Sequence, residues 1–136
     1  MHFLSRRLVM PYDLNYAGSL FGGRILQWID EEAAIFASCQ LETNSLVTKH
    51  IGAISFENPA FSGDVIEFGL ATKTVGKSSI TVTCVVRHKV NKSTICMVDD
   101  IVFVHVDVKS KKPLAHGKTL QSLVEQTQTE LKSLNI

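Results

Sequence analysis

The sequence predicts an α+β fold in which one long helix is followed by a curled antiparallel sheet and a second helix. Three observations carry that expectation. Apolar residues recur at spacings of three and four from Arg24 to about Leu41. Beyond Asn44 the chain turns to β-branched and aromatic runs separated by short turns. The tail from Thr119 then returns to helical spacing.

A short apolar start, Leu8 to Met10, leads into PYDLNYAGSLFGG, whose turn formers predict a loop. In the long helix, Ile25, Leu26, Ile29, Ala33, Phe36, Ala37 and Leu41 form one stripe over roughly five turns. Leu46 to Phe56 is a strand candidate ended by Asn58-Pro59, and Asp64 to Val75 follows a Ser62-Gly63 turn. Ser78 to Lys89 alternates, with Ile80, Val82, Cys84 and Val86 on one face and Ser79, Thr81, Thr83 and Arg87 on the other. Asn91-Lys92 turns the chain into Thr94 to Val108, where Val102, Val104, Val106 and Val108 alternate with Ile101, Phe103, His105 and Asp107. Turns this short predict an antiparallel meander, because parallel neighbours need crossovers of about a dozen residues. In the tail, Leu120, Leu123, Val124, Leu131 and Leu134 predict an amphipathic helix. One helix covers little of a curved sheet, and the exposed edge that remains favours pairing with an identical copy.

Composition narrows the function. The 136 residues fit one domain, 1–136, with a core of about 5–115 and a helical tail of about 119–134. With 45% apolar and 20% charged residues the chain is globular, and a formal charge of +1 supplies no field for nucleic acid or an anionic membrane. No apolar run approaches the roughly 18 residues that span a bilayer, and MHFLSRRLVM lacks the marks of a secretory signal, so a cytoplasmic protein is expected. Cys39, Cys84 and Cys96 form no CxxC pair and read as buried reduced thiols.

One carboxylate stands out. With residues at 100° intervals and Ile25 at zero, the apolar stripe covers about 0° to 160° and Asp30 falls inside it at about 140°. Glu31 and Glu32, at about 240° and 340°, lie outside the stripe and read as solvated helix charges. An inward carboxylate costs several kcal/mol unless it is paired, hydrogen-bonded or beside water. Asp30 therefore marks a functional group, an acid at the stripe's edge in solvent, or a cap on a neighbouring loop. Gly22-Gly23 at the helix start is the second clue, because first-turn N–H groups there can meet an oxyanion forming on an attacked carbonyl. The plain alternative is a glycine pair that only turns the chain.

The two clues do not meet within one helix. At 1.5 Å rise per residue, Asp30 lies roughly 10 to 12 Å from the glycine terminus, too far to serve a carbonyl held there. Two helices packed antiparallel would bring Asp30 of one chain to the glycines of the other, giving two equivalent composite sites.

The segment PYDLNYAGSLFGG, followed by Ile25-Leu26, Asp30 and Ala33-Ala34, resembles the hot-dog-fold acyl-CoA thioesterases, in particular the small bacterial YciA-type acyl-CoA hydrolases. Further matches are Ile54-Ser55-Phe56 with Pro59, Gly63-Asp64-Val65, and Gly76-Lys77-Ser78-Ser79 before a strand, so that the likeness covers about residues 5 to 115. It implies a hot-dog fold, a long central helix wrapped by a curved antiparallel sheet, and hydrolysis of acyl-coenzyme A to free acid and coenzyme A. By the same resemblance Asp30 is the general base or nucleophile, and Asn15 contributes from the partner chain by orienting water or the thioester. The family's homodimers usually assemble into a trimer of dimers, a hexamer.

For the mechanism, Asp30 deprotonates water or attacks the carbonyl, and the Gly22-Gly23 N–H groups hold the oxyanion. A thiolate leaves readily, so no metal is expected, and no two of His2, His50, His88, His105 and His116 have metal-ligand spacing. No cofactor is expected either, coenzyme A being part of substrate and product. Asp99-Asp100 reads as strand neighbours, one outward and one in a polar contact. By resemblance the Gly76-Lys77-Ser78-Ser79 turn lies near the pantetheine and phosphates. Lys77 and the donors of Ser78 and Ser79 suit phosphate, with Arg87 as a second cation; a plain hairpin with a solvated lysine is the alternative. The acyl chain is expected against Phe56. The Lys109-Ser110-Lys111-Lys112 run, with Lys118, reads as a charged exit to the tail.

Two rival readings remain open at this point. A hot-dog hydratase acting on enoyl or hydroxyacyl thioesters would use a His in the loop or helix, and the loop from Pro11 to Gly23 has none. A non-catalytic acyl-CoA-binding dimer would leave Asp30 structural.

Overall fold

The structure, a computed structural model, describes residues 1–134. Its elements are β1 (His2–Leu8), α1 (Gly22–Leu41), β2 (Leu46–Ile51), β3 (Ile54–Phe56), β4 (Val65–Val75), β5 (Ser79–His88), β6 (Thr94–His105) and α2 (Leu120–Ser133), with one 3-10 turn at Pro11–Asp13. All strands are antiparallel, in the order β1-β4-β5-β6-β2, and β3 also pairs with β6. Among the described residues no helix is long and apolar enough to cross a membrane.

The predicted periods form the core. On α1, Ile25, Trp28, Ile29, Ala33, Ala37 and Leu41 are buried. They meet a sheet face that includes Ile66, Phe68, Ile80, Val82, Cys84, Val86, Ile101 and Phe103. Trp28 stands edge-on to Phe68 with centroids 6.5 Å apart. Each large side chain removed from water on this face contributes about 1.5–3 kcal/mol. The helix stops at Glu42, whose left-handed backbone (φ 54) returns its N–H to Ser38 O.

The boundaries differ from expectation in four places, each for a physical reason. A strand precedes the loop: β1 pairs with β4, but its more sheltered positions are Phe3, Ser5 and Arg7, so it carries no apolar alternation. The candidate Leu46 to Phe56 is two strands, interrupted where the Gly52 N–H bonds Asp100 O at 2.8 Å. Opposite this break β6 bulges: Val82 pairs with Ile101 and Cys84 with Val98, so β6 spends one more residue than β5. The bulge keeps Cys96, Val98, Ile101 and Phe103 all facing inward and turns Asp99 and Asp100 out, Asp100 onto Lys73 at 2.7 Å. Finally β6 ends at His105 rather than Val108, because the chain turns back at Asp107 and Val106 bridges to Pro113.

Two residue-level expectations are corrected. Trp28 widens the buried stripe of α1, so Glu32 is covered rather than solvated: its side chain is 13% exposed and accepts from Arg7 Nη2 at 2.9 Å. The Arg7 guanidinium also lies 5.3 Å from the Trp28 ring centroid. Of the three thiols, Cys84 and Cys96 are buried, but Cys39 is exposed. Burial pushes Cys84 up to about 12 and Cys96 up to about 11. The tail forms its helix, capped by the Thr119 hydroxyl on Ser122 N–H, yet Leu123 is its one buried residue and Leu120, Val124, Leu131 and Leu134 stay exposed.

Candidate active site

Asp30 sits on the partly exposed flank of α1, where its Oδ1 accepts a hydrogen bond from Thr48 Oγ1 of β2 at 2.9 Å. Edge position, rather than deep burial, lets this acid stay solvated while it borders apolar surface. Sequence reasoning missed Thr48, since an exposed hydroxyl on an edge strand carries no pattern of its own.

Asn15 shapes the loop that precedes α1. Its Oδ1 accepts from the N–H groups of Ala17 at 2.9 Å and Ser19 at 3.2 Å, and its Nδ2 donates to Ser19 Oγ at 3.2 Å. This side-chain turn, with Gly18 at φ 88, folds the loop back onto itself. At the helix start, the N–H groups of Arg24 and Ile25 both return to Phe21 O. Those of Gly22 and Gly23 have no backbone or side-chain acceptor among the described residues, because Phe21 as N-cap offers none. A Cβ on Gly23 would lie 2.6 Å from the ring of Phe21, an exposed side chain that would have to swing aside, and one on Gly22 would only touch Phe56 at 3.6 Å.

Asn15, Gly22 and Phe56 line one open cleft of about 380 Å³, together with Ser19, Ile25 and the exposed Glu57, a carboxylate that sequence reasoning also missed. Asp30 does not line it. The strand register places the two groups at different ends of the sheet: Thr48 lies in a row with Phe103 and Ile80, and Phe56 in a row with Cys96 and Val86. The structure therefore brings Asn15, Gly22 and Phe56 together and leaves Asp30 apart from them within one chain.

The Gly76–Ser79 turn belongs to the Asp30 end, since Ser79 pairs with Val104, and Val104 with Val47. The Gly76 N–H bonds Ser79 O at 3.0 Å, and a Cβ on Gly76 would collide with the Ser79 hydroxyl. Lys77 is exposed and forms no ion pair among the described residues; Ser78 and Ser79 are half-buried. His116 braces the turn, its N–H on Lys77 O at 3.2 Å and its Nε2 3.0 Å from Ser79 O. Arg87 does not join this turn. It lies eight residues along β5 from Ser79, about 26 Å away in an extended strand, and on the sheet face opposite α1 its Nε donates to Glu67 at 2.8 Å.

Known proteins resemble this chain in sequence and in fold. A Haemophilus influenzae protein described as an uncharacterized acyl-CoA thioester hydrolase is 38% identical over 80 residues, 58% of this chain and 51% of that one. The chain spans about half the length of the curated relatives it matches. A hexameric thioesterase from Yersinia pestis is 28% identical with a TM-score of 0.77, covering 84% of this chain and 93% of that one. A hexameric hotdog fold thioesterase of Campylobacter jejuni is 28% identical with a TM-score of 0.72, covering 90% of this chain and 92% of that one. The helix wrapped by an antiparallel sheet is thus the hot-dog fold. The model of the Thioesterase superfamily matches residues 17–95, more than half of the sequence, and the chain belongs to that superfamily.

Proposed function

We propose that this chain, as one domain, hydrolyses the thioester of acyl-coenzyme A at a site shared by two copies. The observation that carries the proposal is the separation of Asp30 from the free N–H groups of Gly22 and Gly23: eight residues of helix, about 12 Å, lie between groups that hydrolysis needs within one bond's reach of a single carbonyl. A second copy, its α1 antiparallel to the first, supplies the missing half. The exposed edge strand β2, with Val47 and Ile51, and the exposed Phe21, Ile35 and Phe56 offer apolar surface for such pairing. The hexameric relatives support three such dimers assembled together.

In this mechanism the thioester carbonyl oxygen lies on the Gly22 and Gly23 N–H groups of one copy. Asp30 of the other, oriented by Thr48, takes a proton from water or attacks the carbonyl itself. The negative charge that develops is met by preorganised donors at the positive end of the helix dipole. Coenzyme A leaves as its thiolate and is protonated, and no metal or cofactor takes part. Asn15 orients the water or thioester, Phe56 contacts the acyl chain, and Lys77 with Ser78 and Ser79 receives phosphate or pantetheine. The setting is the cytoplasm, where acyl-coenzyme A is at hand.

The experiment is an acyl-CoA panel of several chain lengths read by release of free thiol. Turnover of at least one ester above background is expected, and no release from any of them ends the proposal.

A further inference from the structure

On the sheet face turned away from α1, Arg6 of β1, Glu67 of β4 and Arg87 of β5 are cross-strand partners in one row. Glu67 is 1% exposed, yet its cover is cationic rather than apolar: Arg6 Nε at 3.2 Å, Arg87 Nε at 2.8 Å and Lys92 Nζ at 3.2 Å. Three cations surround one carboxylate, so two positive charges are left uncompensated. Both guanidinium groups engage Glu67 through Nε, and neither has a hydrogen bond from an Nη group among the described residues. Those forks are the atoms that grip phosphate oxygens in pairs.

The cluster is held rigid. The Phe3 ring fills the space over Gly69, and the Arg87 guanidinium lies 3.4 Å from that ring's centroid, which fixes its plane. Lys92 reaches Glu67 from a left-handed backbone (φ 63) that a lysine adopts only at a cost. Arg6 and Lys92 are both more than half exposed and open to solvent.

We propose that Arg6, Arg87 and Lys92, oriented by Glu67, form a binding site for a phosphate-bearing anion, separate from Asp30 and from the Gly76–Ser79 turn. A free phosphate or diphosphate and the phosphates of a nucleotide share this chemistry. Glu67 is the positioning residue: it aligns three cations whose remaining donors then need an anion from outside.

The test is calorimetric titration of the full chain with pyrophosphate, ADP and adenosine. Pyrophosphate and ADP are expected to bind and adenosine is not; binding of ADP alone would assign the site to nucleotides. Lys92→Gly removes the ammonium at a position whose backbone suits glycine, and should weaken binding about tenfold, the loss of one charge-assisted contact. Arg6→Gln with Lys92→Gly should weaken it about a hundredfold, while Lys109→Gln with Lys111→Gln leaves it unchanged. No heat of binding up to about 10 mM pyrophosphate, or an affinity indifferent to Lys92→Gly in a protein that still melts cooperatively, would overturn the site.

Discussion

Thr48 Oγ1 donates to Asp30 Oδ1 across the gap between β2 and α1, at 2.9 Å. The bond fixes the carboxylate's rotamer from a strand of the same chain and leaves Oδ2 available to a water or a carbonyl. A hydroxyl donor to a carboxylate contributes about 1.5–3 kcal/mol. Thr48→Val keeps the shape and removes that donor. Turnover should fall roughly ten- to a hundredfold, with KM little changed and Thr48→Ser restoring most of it. Equal activity in Thr48→Val would make the bond incidental.

Asp30→Asn should lower kcat by about a thousandfold or more while the melting temperature stays near that of the parent. Glu57 is the control, because it is the carboxylate inside the Asn15 cleft. Glu57→Gln should keep most of the activity. If steady-state kinetics gave the reverse pattern, the base would lie within the cleft of one chain.

Subunit mixing tests the composite site. Asp30→Ala and Asn15→Ala proteins should each be inactive, and exchange between them should restore part of the activity, since one hybrid site carries both residues. Exchange proved by mass spectrometry with no recovered turnover would place both groups in a single chain's site.

Glu67 predicts an acid limit to stability. Burial raises its pKa, but the hydrogen bonds from Arg87, Lys92 and Arg6 outweigh this and hold it at about 2, below the ordinary 4.5. A depressed folded value means that the contribution is complete above 4.5 and is lost as pH falls from 4.5 through about 2. Denaturant melts in that window should show falling stability, and Glu67→Gln should flatten the fall while lowering stability at neutral pH.

The thiols give a fifth readout. Cys39 is exposed, whereas Cys84 and Cys96 are buried with their pKa values pushed up to about 12 and about 11. A chromogenic disulfide should label one thiol per native chain and all three after unfolding. Rapid labelling of three in the native protein would contradict the packed sheet.

Much of the fold is legible in the chain because its main elements obey one period each. The helix ending at Leu41 and the alternation of Ile80, Val82, Cys84 and Val86 lead directly to the buried face. What stays hidden depends on neighbours in space. Placing Trp28 at about 300° on the same wheel widens the stripe enough to enclose Glu32, so that correction was within reach of the sequence. Thr48 has meaning only beside Asp30, and Arg87 only beside Glu67 and Phe3. β1 escapes notice because its sheltered positions include an arginine that earns its place through Glu32 and Trp28.

The irregularity at Asp99-Asp100 in β6 faces the break at Gly52-Ala53, and together they draw a crease across the sheet. Thr48 and Asp30 stand on one side of that crease; Phe56, Gly22 and Asn15 stand on the other. The spacing between the two proposed half-sites thus depends on where this crease falls along β6. Removing Asp99 would bring β6 into even step with β5, Val98 still opposite Cys84 and Ile101 opposite Val82, but would leave the Gly52-Ala53 break one residue longer than the β6 segment it faces and so shift β3 against β2.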